Sequence, residues 1–194
     1  MTASMPHTLN RRELCRATVG VIAAAFVACG RAVRPRSDEP LSLPERVSIV
    51  PFRDDGTPGE LTEVLSVVKT EDAWLQQLGD RSFLVTRREG TEPAFTGQYW
   101  NNHDAGLYRC ICCDTALFSS ETKFESGTGW PSFTAPLAED NIIETTDTSL
   151  GMARTKVSCR RCVAHLGHVF TDGPAPTGLR YCMNSVSLTF KKFA

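Results

Sequence analysis

The spacing of apolar positions divides the chain into stretches of different character. An apolar run from Ala17 to Ala28 follows a polar start that contains Arg11-Arg12. Over residues 59–79, GELTEVLSVVKTEDAWLQQLG, apolar residues recur at helical spacing. Within that stretch Thr70, followed by Glu71-Asp72, reads as an N-cap with an acidic first turn, and Gly79 reads as the stop. Beyond Gly79 the helical period fades. Phe83 to Thr86, Leu107 to Arg109, Ile142 to Thr145, Ala153 to Val157 and Tyr181 to Phe190 are β-rich runs separated by turn signals. The pattern predicts a mainly β domain with one or two helices in front of it.

Composition limits the partners. With 194 residues, of which 41% are hydrophobic, the chain suits one domain with a tail left over. Lys and Arg total 21 against 22 Asp and Glu, so no net field exists to hold nucleic acid or an anionic membrane surface. Residues 1–30 read as an export signal: the apolar run is shorter than the about 20 residues that span a bilayer. Asn10 to Arg16 resembles a twin-arginine signal, and Phe26-Val27-Ala28-Cys29 resembles a lipobox, which would put a lipid anchor on Cys29. Residues 31–46, rich in Pro, Arg and Ser, read as a solvated linker, and residues 47–194 as the folded domain. The expected location is therefore exported, periplasmic or anchored on the periplasmic side of the membrane.

Eight cysteines are many for this length, and their spacing separates their uses. Cys110-x-x-Cys113 and Cys159-x-x-Cys162 are two knuckles, each able to aim two thiolates at one tetrahedral ion. The stretch between them exceeds that of a compact zinc ribbon, so one zinc would staple two hairpins of a larger sheet. Four sulfurs leave no open position for water, which makes the zinc structural. Two disulfides are the alternative, as is a thioredoxin-type redox pair, although the βαβ unit that pair requires is not visible. Cys112 could stand in for Cys110 or Cys113, and His165 could compete with Cys162.

Among the remaining thiols, Cys182 lies in a chemically loaded segment, Gly178 to Ser185. If this is a strand, alternation places Arg180, Cys182 and Asn184 on one face, so that a cation and an amide flank the thiol. Arg180 would favour the thiolate, the nucleophilic form.

The segments Gly90 to Gly97, Lys123 to Phe133, Ala164 to Phe170 and Arg180 to Ser185 closely resemble the methionine-R-sulfoxide reductase B family. The likeness runs in order from about Asp72 to Phe190, with both cysteine knuckles in place. It implies a tent-like fold of two small antiparallel sheets packed together, with zinc on the side away from the active site. It also implies that Cys182 attacks the sulfoxide sulfur and becomes a sulfenic acid, while His165 and His168 serve the departing oxygen. Trp130 would receive the S-methyl group, and the segment Trp130-Pro131-Ser132-Phe133, Phe133 included, would form the substrate pocket. Arg180, Asn184 and Asp172 would orient the reacting groups. The implied partners are proteins containing methionine sulfoxide and a thioredoxin-like reductant, acting on a monomer.

One position departs from the pattern. Many relatives carry a resolving cysteine where this chain has Thr128. With Cys112 beside a zinc ligand, reduction of Cys182 by an outside thiol is expected. Two rivals remain at this point: a non-enzymatic zinc-knuckle interaction module, and a thiol oxidoreductase acting on disulfides or peroxide.

Overall fold

The computed structural model describes residues 43–148 and 153–193. The expected export signal at 1–30, the expected anchor at Cys29 and residues 31–42 of the expected linker lie outside the described residues. A hairpin opens the described part: β1 (Arg46–Ile49) pairs with β2 (Thr62–Leu65), Arg46 standing opposite Leu65. Helix α1 (Glu71–Arg88) follows, with the Thr70 side chain accepting from the Ala73 N–H as its N-cap. The nine strands β3 (Gly106–Cys110), β4 (Ala116–Ser119), β5 (Lys123–Phe124), β6 (Ser132–Phe133), β7 (Ile142–Asp147), β8 (Arg154–Cys159), β9 (His165–Phe170), β10 (Arg180–Met183) and β11 (Leu188–Lys192) form two antiparallel sheets. One is six-stranded, in the order β5-β6-β10-β9-β8-β7; the other is three-stranded, β11-β3-β4.

The core fills the space between these sheets. Phe133 of β6 stacks on Phe118 of β4, with ring centroids 4.5 Å apart, and meets Tyr108 of β3 edge-on at 5.0 Å. Tyr181 of β10 reaches the same cluster at 5.8 Å from Phe118. Trp74 of α1, Leu166 and Met183 complete it from the flanks. The hairpin is tied on by the buried Asn141, whose amide exchanges hydrogen bonds with Val50 and donates to the Ala116 carbonyl.

Three elements differ from the sequence reading. Residues Thr62–Leu65, inside the expected helix 59–79, form a strand, because β1 offers them a ladder that local periodicity does not reveal. Gly79 does break the helix, with φ 69° and ψ 169°, but helix resumes after it. Phe83 to Thr86, read as a strand from its bulky and β-branched content, is therefore helical; burial of Ser82, Val85 and Thr86 at helical spacing outweighs that content. Finally, the run Tyr181 to Phe190 is not one strand. A 3-10 turn at Ser185–Ser187 divides it into β10 and β11, and the chain crosses there from the larger sheet to the smaller.

Candidate active site

Pairing across the larger sheet assembles the site. Cys182 on β10 stands opposite Ser132 on β6 and His168 on β9, and His168 stands opposite Lys156 on β8. Directly opposed residues of an antiparallel ladder share a face. Ser132, Cys182, His168 and Lys156 thus form a row, while Tyr181, next to Cys182, points into the core. The strands approach closely here because Gly167 has no side chain; a Cβ at that position would collide with the Cys182 carbonyl oxygen.

Around the thiol, Thr128, Ser132 and Arg180 lie within hydrogen-bonding reach. The two hydroxyls belong to a network in which Ser126 Oγ lies 2.8 Å from Thr128 Oγ1 and 2.7 Å from Ser132 Oγ. Burial nevertheless pushes the Cys182 thiol above its ordinary pKa, and the Arg180 charge and these hydrogen bonds offset it only in part. Arg180 favours the thiolate, as expected from its place on the strand, but burial outweighs it and the net shift is upward. Arg180 Nε and Nη2 donate at 2.8 Å each to the two carboxylate oxygens of Asp172, which neutralises much of its field. Its guanidinium also lies 4.4 Å from the Phe170 ring centre. Asp172, exposed, is held below the usual carboxylate range by that hydrogen bonding.

The two histidines differ in environment. His168 Nε2 lies 2.9 Å from Asp147 Oδ2, and Asp147 also accepts from Arg154 at 2.9 Å. His165, only 3% exposed, has no hydrogen-bond partner on either ring nitrogen among the described residues. Burial and then the neighbouring His168 lower its pKa to about 4. The two rings meet edge-on, with centroids 5.3 Å apart.

Trp130 is half-buried, and its indole N–H donates to the Glu92 carbonyl at 3.0 Å. Glu92, buried, joins this indole to the turn that follows the strand of Cys182. Its carboxylate accepts the N–H groups of Ser185 at 2.6 Å and Val186 at 3.1 Å, capping the turn at which the chain changes sheets. Its own N–H donates to Asn184 Oδ1 at 3.0 Å.

Two expected site residues are placed otherwise. Phe133 is 0% exposed between Phe118 and Tyr108, so it belongs to the core and has no surface to offer a substrate. The Asn184 amide does not flank the thiol: it bridges the Glu92 N–H and the Leu166 carbonyl, the latter at 3.0 Å, and so braces His165 and Trp130 through the main chain. Glu92 lies in the family-like segment Gly90 to Gly97, but that segment assigned it no role, and Asp147 carries no motif, spacing or periodicity of its own. Register and the turn after Met183 reveal what they hold.

The four knuckle thiols converge elsewhere. Cys110, Cys113, Cys159 and Cys162 place their Sγ atoms within 4.8 Å of one another, on the β3–β4 and β8–β9 turns. The Cys110–Cys162 and Cys113–Cys159 separations are 3.6 and 3.5 Å. A tetrahedral zinc with bonds of about 2.3 Å requires sulfurs about 3.8 Å apart, whereas a disulfide requires about 2.0 Å. The set therefore fits one zinc and not two disulfides. Cys112 is not one of the four; its neighbours are Cys110, Cys162, Thr86 and Arg87, none of which touches Cys182.

Comparison with known proteins agrees with this geometry. The SelR domain family model matches residues 78–192. A peptide methionine sulfoxide reductase MsrB from Thioalkalivibrio sulfidiphilus is 57% identical over 122 residues, covering 63% of this chain and 89% of that protein. Proteins of the same name from Pseudomonas putida and Herminiimonas arsenicoxydans are 58% and 54% identical; these matches cover 63% and 64% of this chain, and 92% and 90% of the respective relatives.

Proposed function

This chain belongs to the SelR-domain family of MsrB-type peptide methionine sulfoxide reductases, and we infer from its site that it returns the R epimer of methionine sulfoxide in proteins to methionine, with a thiol as reductant. It is an oxidoreductase of protein repair with a structural zinc site. The observation that carries the reading is the row Ser132, Cys182, His168 beside Trp130.

In this reading Cys182 Sγ attacks the sulfoxide sulfur while the S-methyl group rests on Trp130. The sulfoxide oxygen passes to Cys182 as a sulfenic acid, so that one sulfur is oxidised by two electrons and the other reduced by two. His168, oriented by Asp147, supplies the proton that the oxygen needs. His165, neutral at neutral pH, contributes a hydrogen bond and a dry wall. One external thiol then condenses with the sulfenic acid, releasing water, and a second frees Cys182 as a disulfide leaves. The Thr128 hydroxyl beside the sulfur and the separate surroundings of Cys112 support direct external reduction.

The reductant is proposed to be thioredoxin-like, acting in the periplasm, with the chain anchored through Cys29. This rests on the twin-arginine and lipobox resemblances of residues 1–30. Nothing in the relatives favours the non-enzymatic zinc-knuckle alternative.

The test is turnover of separate R and S epimers of a methionine sulfoxide peptide by the full chain with dithiothreitol, beside Cys182→Ser. Reduction of R alone, abolished by the substitution, is expected. Folded, zinc-loaded wild type that leaves both epimers untouched would overturn the reading.

A further inference from the structure

The turn that follows Glu92 carries an aromatic ring that the chemistry above does not use. Phe95 is 57% exposed, and its backbone lies in the left-handed region at φ 63°. A bulky residue is seldom found there without a function that the surroundings enforce. Here the surroundings do enforce it. The Phe95 N–H donates to the Gly129 carbonyl at 2.8 Å, and its ring meets Trp100 edge-on with centroids 5.3 Å apart. The ring also lies over Gly129, itself at φ 86°, where a Cβ would come within 2.8 Å of two ring atoms.

This ring is tied to the reacting site. Gly129 adjoins Trp130, and the indole of Trp130 is held by Glu92, three residues before Phe95. Phe95 and Trp130 therefore sit on one hydrogen-bonded unit, on the side of the Cys182 hydroxyl network. Phe95 buries nothing of the core, yet it is fixed in advance, and a ring already immobile loses little entropy when a ligand covers it.

We propose that Phe95, backed by Trp100, is an apolar shelf for a side chain that flanks the methionine sulfoxide in a substrate polypeptide. The inference rests on the reductase reading above and names the part of the substrate beyond its sulfoxide. Its occupant is an apolar side chain because the exposed face is an aromatic ring, fixed on Gly129 next to Trp130. Methionine is itself a core residue whose neighbours in a damaged, opened segment include apolar side chains. A free amino acid reaches Trp130 and Cys182 but not this shelf. Phe95 is thus a specificity-determining residue.

The test compares three substrates under the full chain with dithiothreitol: N-acetyl-methionine-R-sulfoxide, and two heptapeptides with the R sulfoxide flanked by leucines or by glycines. For wild type the leucine peptide should exceed the glycine peptide about tenfold in kcat/KM, through KM, the size of effect an apolar contact supplies. Phe95→Gly, which suits the left-handed backbone, should bring that ratio close to one, and Phe95→Tyr should restore it. The shelf is overturned if wild type shows no preference for leucine, or if Phe95→Gly keeps the wild-type ratio. Should Phe95→Gly not fold, Trp100→Leu removes the backing ring and must lower the same ratio. Wild type inactive on all three substrates would instead overturn the reductase reading.

Discussion

Cys182 and His168 face each other across the β9–β10 ladder, and His168 is steadied from behind by Asp147 at 2.9 Å. The thiol and the imidazole are thereby placed by strand register, both on strands rather than loops. His165, three residues earlier, is held neutral in a dry environment by burial. One histidine is paired with a carboxylate, and the other has no hydrogen-bond partner among the described residues.

This division predicts unequal losses. His168→Gln should lower kcat about 10²- to 10⁴-fold, the usual contribution of a positioned acid. Asp147→Asn, which leaves the ring but weakens its orientation, should cost less and alter the pH profile. Steady-state kinetics on a methionine-R-sulfoxide peptide decides this; a His168→Gln enzyme within threefold of wild type would refute the role.

The raised pKa of Cys182 predicts slow alkylation at neutral pH. The rate of reaction with iodoacetamide should rise through a midpoint above the about 8.5 of an ordinary cysteine. Asp172→Asn frees the Arg180 charge and should move the midpoint down, whereas Arg180→Met should move it up. Shifts of the same sign in both variants would show that the ion pair does not tune the thiol.

Acid should destabilise the fold through His165. Its pKa is about 4 in the folded chain against 6.5 as the ordinary value, so between these values the unfolded chain binds more protons. Stability attributable to His165 is present in full above about 6.5 and declines as pH falls towards 4. The total is roughly 3 kcal/mol, at 1.36 kcal/mol per pKa unit. Urea midpoints of wild type and His165→Phe, compared at pH 7 and pH 4.5, should diverge in their pH dependence. Parallel losses in the two proteins would contradict the assignment.

Zinc removal should unfold the domain. A structural four-thiolate site contributes about 10–16 kcal/mol, comparable to the whole stability of a domain, and here it joins turns from both sheets. Native mass spectrometry should find one zinc per chain, lost in Cys159→Ser together with the cooperative thermal transition, and retained in Cys112→Ser. A Cys112→Ser protein without zinc would show that the ligand set is wrong.

Much of this molecule was legible in the chain itself wherever the signal is local. The cap at Thr70 depends on Ala73, and the paired cysteine spacings depend on two tight turns; both are properties of a few neighbouring residues. Alternation around Cys182 correctly placed Arg180 beside the thiol. Tertiary structure decided the rest, because it turns on partners distant in sequence. Thr62–Leu65 became a strand because β1 lies beside it, and Phe133 became core because Tyr108 and Phe118 cover it. Asn184 was claimed by Glu92, 92 residues away, when the chain crossed between sheets. The sign of the Cys182 shift likewise followed from burial, which outweighs the Arg180 charge. Residue type determined which groups could do chemistry; register and desolvation, which are sums over the folded surroundings, determined which of them do.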